Sequence, residues 1–129
     1  MAEVGPQVRV KLAKARQFSD AAELAVDEAY DQAVSSAGLA AINASDALCL
    51  MHHGFYPQGK DHRQAAAMLR SAGWGVAATH LLGAILNKDK AQYSAKLCTP
   101  TDAAAALKHA ERLLDQATKE AIKRELLGG

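Results

Sequence analysis

Residues 30–53 read YDQAVSSAGLAAINASDALCLMHH, and the fold class turns on this stretch. Ala33, Ala37, Ala40, Ala41, Ala44 and Ala47 recur at helical spacing, with Leu39, Ile42, Leu48 and Leu50 supplying bulk. The pattern predicts one long helix from Tyr30 to His53 whose surface is small enough for neighbouring helices to approach closely. Gly38 costs about 1 kcal/mol against alanine inside a helix, so packing space is its expected return. Gly54 stops the helix, and Pro57 and Gly59 bar its continuation.

Upstream, Val8, Leu12, Ala15, Phe18, Ala22 and Ala25 recur every three or four residues while Arg9, Lys11, Lys14, Arg16 and Asp20 occupy much of the remaining surface. An amphipathic helix over about 7–26 follows, with Pro6 near its first turn. Downstream, Gly54 to Lys60 is a loop carrying Phe55 and Tyr56, and Asp61 is the cap of a third, short helix ending near Arg70. A fourth helix is predicted from Gly75 to Tyr93, with Trp74 before it as a lid on the core or a subunit contact. Thr99, Pro100 and Asp102 read as the start of a fifth helix that runs to about Leu127 and ends at Gly128 and Gly129. The expectation is an all-α, antiparallel four-helix bundle with an additional short helix, forming a single domain over residues 1–129.

Half of the 129 residues are apolar, enough to line one core and too few for a second domain. A net charge of +1 and few aromatic residues argue against a polybasic tail or a stacking platform, which leaves RNA binding neither implied nor excluded. Gln17 to Gln58 holds six acidic residues and no basic one, whereas Gly59 to Thr101 holds six basic and two acidic. On separate surfaces these segments would orient a partner; packed together they would match internally. No run approaches the roughly 20 continuous apolar residues of a membrane span. The opening Met-Ala-Glu-Val-Gly-Pro lacks the parts of a signal peptide, so a cytoplasmic protein without membrane contact is expected. Cys49 and Cys98 are expected as buried free thiols.

Taken in order, several segments resemble the HEPN superfamily of helical-bundle domains over nearly the whole chain. Lys14 to Phe18 with Asp20 to Leu24 is similar to that family's first helix, and Tyr30 to Ala37 with Asn43 to Leu48 to its small-residue-rich second. Gly59-Lys60-Asp61-His62 resembles the start of the third, Lys88-Asp89-Lys90-Ala91-Gln92-Tyr93 its Arg-x-x-Ala-Asp-Tyr form, and Ala103 to Ala117 its closing helix. The ribonucleases of the family carry an Arg and, four to six residues on, a His at the start of a late helix, where paired subunits form the cleft. Here Lys88 stands for the Arg, Gln92 for the Asp, and the window to Tyr93 has no His; Arg70 and His80 are too far apart to replace the pair.

The resemblance therefore implies a non-hydrolytic protein-interaction domain with no cofactor, an accessory in an RNA-directed or toxin–antitoxin system, with a nucleotidyltransferase among the partner classes. The alternatives are an RNA-binding protein or atypical endoribonuclease, and a purely structural assembly subunit. A homodimer through the second and fourth helices is also implied, with Leu39 and Ile42 as contact candidates. The run of alanines on the second helix would let two subunits approach closely, unless the core takes up that surface.

No residue is assigned a catalytic role. Lys88 and Tyr93 are ligand or RNA candidates, as point charge and as hydroxyl or stacking ring; the other reading is a solvated lysine beside a tyrosine that closes the bundle. Five apart, they do not share a helical face cleanly. Asn43 and Asp46, three apart on an otherwise apolar helix, form a candidate polar seam for Lys88 or a ligand, or are satisfied structurally. His52, His53, His62 and Cys49 are ligand types for zinc without a familiar zinc spacing, so no metal site is expected; the histidines read as surface or capping residues. His80 and His109 read as helix-surface residues. Gly73-Trp74-Gly75 lacks the strand and Lys-Ser or Lys-Thr of a phosphate loop, and no Gly-x-Ser-x-Gly, His-Glu-x-x-His or paired Cys-x-x-Cys occurs.

Overall fold

The computed structural model describes residues 3–59 and 62–127. Among these it is all-helical, without strand: α1 Gly5–Ala25, α2 Tyr30–His53, α3 His62–Ser71, α4 Gly75–Ile85, α5 Lys88–Tyr93 and α6 Pro100–Lys123. The four longest, α1, α2, α4 and α6, run alternately up and down. Arg9 near the start of α1 donates from Nη1 to the Leu126 carbonyl beyond the end of α6 (3.0 Å), and Asn87 after α4 donates to Asp102 at the start of α6 (3.3 Å). The expected all-α bundle is therefore the observed one.

α2 matches its predicted bounds and packs against every other helix. Ala33, Ala37, Ala40, Ala44 and Ala47 are fully buried within the single chain, with Ala103, Ala106, Ala110, Ala117 and Ala121 of α6 buried beside them. Alanine on both sides lets α2 and α6 approach with little side-chain entropy lost. The stripe that made a close subunit contact attractive is thus taken up by intrachain packing. What stays half-open on α2 is a line through Ser35, Leu39 and Ile42. By length and composition α2 is apolar enough to cross a bilayer, although 83 % of its most apolar window is buried inside the bundle, as befits a core helix.

Helix ends follow local chemistry. Gly54 adopts a left-handed φ of 83° and returns its N–H to the Leu50 carbonyl. Gly73 (φ 85°) ends α3 in a Schellman motif, with Trp74 N–H on the Leu69 carbonyl and Gly73 N–H on that of Arg70. α6 starts with the full capping box: Asp102 N–H donates to Thr99 Oγ1 and Thr99 N–H to the Asp102 carboxylate. Those bonds and Lys90 hold the Asp102 carboxyl below its ordinary range.

Two boundaries differ from expectation. The predicted fourth helix breaks at Leu86 and Asn87, giving α4 and the separate α5. Asn87 leaves helical geometry (φ −108°, ψ 14°) and ties its side chain to Asp102, whose other oxygen takes Lys90 at 2.9 Å, and the separate α5 packs on α2. α6 stops at Lys123, short of Leu127, because Glu125 turns left-handed (φ 59°) and closes another Schellman motif through Leu126 N–H to the Ala121 carbonyl. The Asp61 cap and the Gly128–Gly129 stop lie outside the described residues.

The N-terminal end of α4 is closed by Trp74, half-buried on the core. His52 meets it edge-on at 5.7 Å, and the Arg124 guanidinium lies 6.0 Å over its ring while donating to the Met51 carbonyl. Of the two roles expected of it, this is the lid on the core. Cys49 and Cys98 are buried free thiols.

Candidate functional site: two hollows joined at His62

α1, α2, the loop after α2 and the start of α3 enclose a hollow of about 220 Å³ lined by Lys11, Ser45, Asp46, Tyr56 and His62 over an apolar floor that includes Ile42 and Leu81. Asp46 is buried, and Lys11 Nζ reaches its Oδ2 at 2.9 Å while lying 4.3 Å from the centre of the Tyr56 ring. Burial pushes the Asp46 carboxyl above its ordinary range, against the pull of Lys11 and, more weakly, His62. Ser45, one residue before it, is 1 % exposed, and among the described residues its hydroxyl has no partner at hydrogen-bonding geometry. Burial and the neighbouring Asp46 push the Cys49 thiol up to about 11, which keeps it protonated and inert as a nucleophile.

A second hollow, about 210 Å³, is lined by His62, Ile85, Lys88, Asp89 and Tyr93. Lys88 lies with its stem across Gly38, where an added Cβ would come within 3.2 Å of Lys88 Cδ, and its Nζ donates to Gln92 Oε1 at 3.4 Å. Gly38 thus returns packing space, and the occupant is a lysine stem. Tyr93 is 75 % exposed, and no side chain of α5 is buried.

The residues singled out from sequence are therefore partly reunited. Lys88 and Tyr93, at the two ends of α5, line one hollow despite their five-residue spacing. Asp46 lies in the adjoining hollow with Lys11, not Lys88, as its counter-ion. Asn43 turns back on its own helix, donating to the Leu39 carbonyl at 2.9 Å. Of the two dimer candidates, Ile42 packs on the core and lines the first hollow, and Leu39 is half-buried.

Lys11, Tyr56 and Ser45 were not singled out, and His62, read as a capping residue, lines both hollows. Nothing in the spacing of the sequence marks His62 for this position. His53 contacts the Met68 carbonyl at 3.0 Å and holds α3. Among the described residues no group of three or more His, Cys, Asp or Glu side chains is placed to hold a metal ion. His80 and His109 are not free surface residues: both are half-buried, facing each other across α4 and α6.

Charges of both signs line each side: Asp20, Glu23, Glu111 and Asp115 lie with Arg16 between α1 and α6, where Lys119 pairs with Asp115 at 2.9 Å, and Lys88 lies with Asp89 and His62 on the groove. Set against known protein families and against curated proteins, the chain matches none. Fold and site define an all-α helical-bundle domain with a polar groove at the junction of α2, α3 and α5.

Proposed function

We propose that this chain is a HEPN-like, non-hydrolytic interaction domain that acts through a protein partner, a nucleotidyltransferase being the class the resemblance favours, in an RNA-directed or toxin–antitoxin setting in the cytoplasm. The observation that carries this reading is the state of α5. By the resemblance it stands where the family's ribonuclease motif would be, it has no buried side chain, and its exposed Tyr93 is flanked in sequence by Leu86 (77 % exposed) and Leu97 (80 % exposed). Exposed aromatic and aliphatic residues on one short segment, with Lys88 at its start, are the composition of a recognition strip. A homodimer remains part of the proposal, with Leu39 on the half-open line of α2 as its probe. The test is sedimentation of the purified chain, alone and with a candidate nucleotidyltransferase partner. The expected result is a stoichiometric complex weakened at least tenfold by Tyr93→Glu or Leu86→Glu, and a failure to associate overturns the reading.

One observation favours a second reading, an RNA-binding or atypical RNA-cleaving bundle. His62 brings from α3 an imidazole to the hollow that holds Lys88 and Tyr93, and a histidine beside a cation is the minimum for acid–base work on a phosphodiester. Labelled single-stranded RNA separates the two. Turnover by the wild-type chain that disappears in folded Lys88→Ala and His62→Ala variants would establish the second reading and displace the first.

A further inference from the structure

α4 and α6 are joined by an imidazole pair. His80 Nδ1 and His109 Nδ1 are 3.0 Å apart, both rings half-buried, with centres 5.3 Å apart and planes inclined at 49°. The separation of the centres is the N–N distance lengthened by a ring radius at each end, so the two nitrogens point at each other. Neither lone pair is aimed at a common third point, so the pair is set up as a hydrogen bond and not as a metal chelate. The fit is tight: an added Cβ on Gly83 would lie 2.6 Å from His109 Cδ2 and Nε2.

Two nitrogens facing each other accommodate a single proton between them. In the neutral pair one ring donates its Nδ1–H and the other accepts. A first added proton goes to the outer nitrogen of the donor ring and leaves that bond in place, now charge-assisted. A second must occupy the accepting Nδ1, which converts the acceptor into a donor and puts two imidazolium rings face to face. We propose that the His80–His109 pair is a one-proton latch on the α4–α6 seam, closed while the pair carries no more than one extra proton and opened by the second. Opening loosens α4 and the α5 segment that follows it.

The surroundings reinforce this. Burial, His109 and Arg112 all lower the affinity of His80 for a proton, and Arg112 stands about one turn along α6 from His109. Both charged neighbours are presented by α6; α2 and α3, which also pack on α4, are not among the causes that shift His80. With the folded affinity of His80 depressed, the unfolded chain binds more protons as the pH falls through the ordinary histidine range. The seam's contribution is therefore complete above that range and lost on acidification.

The test is amide hydrogen exchange of residues 75–85, corrected for intrinsic rates, in wild-type and His109→Gln chains between about pH 7.5 and pH 5. Wild-type protection of α4 should fall about tenfold over this window, the population change that loss of one such bond produces, and the response should vanish in His109→Gln. An acid response of equal size in both chains, or none in the wild type, overturns the latch. Imidazole nitrogen NMR of the wild type answers the same question without a variant. The latch requires a shared proton and two interdependent titrations, and two independent, ordinary titrations refute it.

Discussion

Gly83→Ala tests the closest packing met at any described glycine. In an unobstructed helix interior the change stabilises by about 1 kcal/mol. Here the new methyl would sit 2.6 Å from two atoms of the His109 ring and 2.9 Å from a third. That ring cannot simply swing aside, because its Nδ1 is held by His80 at 3.0 Å. Overpacking of this kind costs about 1–3 kcal/mol, and losing the imidazole bond adds about 1 kcal/mol. The net expectation is destabilisation by roughly 1–3 kcal/mol. Gly38→Ala is the control, with the same gain in propensity but only the flexible stem of Lys88 at 3.2 Å; it should fall between neutral and about 1 kcal/mol more stable. Urea unfolding followed by far-UV circular dichroism measures both. Repeating Gly83→Ala in a His109→Ala background isolates the cause, since without the ring the alanine should become stabilising. A Gly83→Ala chain as stable as the wild type, with the same effect in either background, would refute the contact and with it the rigidity of the seam.

Lys11→Ala leaves the buried Asp46 without its counter-ion and should cost roughly 2–4 kcal/mol in urea unfolding, whereas Lys11→Met with Asp46→Leu should recover most of that loss. Because burial already raises the Asp46 carboxyl, the folded state binds its proton more readily than the unfolded, so the deficit of Lys11→Ala should shrink as the pH falls through the raised value. Thr99→Ala removes one half of the capping box and should lower stability by about 1 kcal/mol, with fraying confined to the first turn of α6 in hydrogen exchange. Glu125→Gly relieves a left-handed non-glycine residue and should raise stability by about 0.5–1 kcal/mol in the same unfolding assay, provided the Leu126 to Ala121 bond is kept.

Where apolar spacing and end signals agree, the fold was legible from residues alone. Tyr30 to Gly54 was predicted to the residue, and Thr99, Pro100 and Asp102 form the cap their order implied. The misses have local causes. No Gly or Pro stands at the break after Ile85, only Asn87, whose choice between helix and turn is decided by Asp102 fifteen residues on. Nor does sequence mark Glu125 for a left-handed conformation that glycine usually fills, with Gly128 and Gly129 close by. The counter-ion of Asp46 was not readable because Lys11 looks like any other cation on the polar side of α1, and only the packing angle of α1 on α2 brings the two within 2.9 Å. The His80–His109 contact was equally hidden, since nothing in the spacing of either helix records which face meets the other.

The groove sits where local rules are broken. Gly38 lowers the helix propensity of α2 in its middle, yet only there can the stem of Lys88 lie flat. Asn87 leaves helical geometry between α4 and α5, and Lys88 and Tyr93 of α5 line one hollow with Ile85 of α4. Asp46 places a charge on the most deeply packed helix of the bundle. Each departure costs stability alone, and each is found beside the groove formed around His62. A helix pair needing only to pack would substitute alanine at Gly38, a helix former at Asn87 and leucine at Asp46. Their convergence on one surface is the physical reason the proposed function is looked for at that groove.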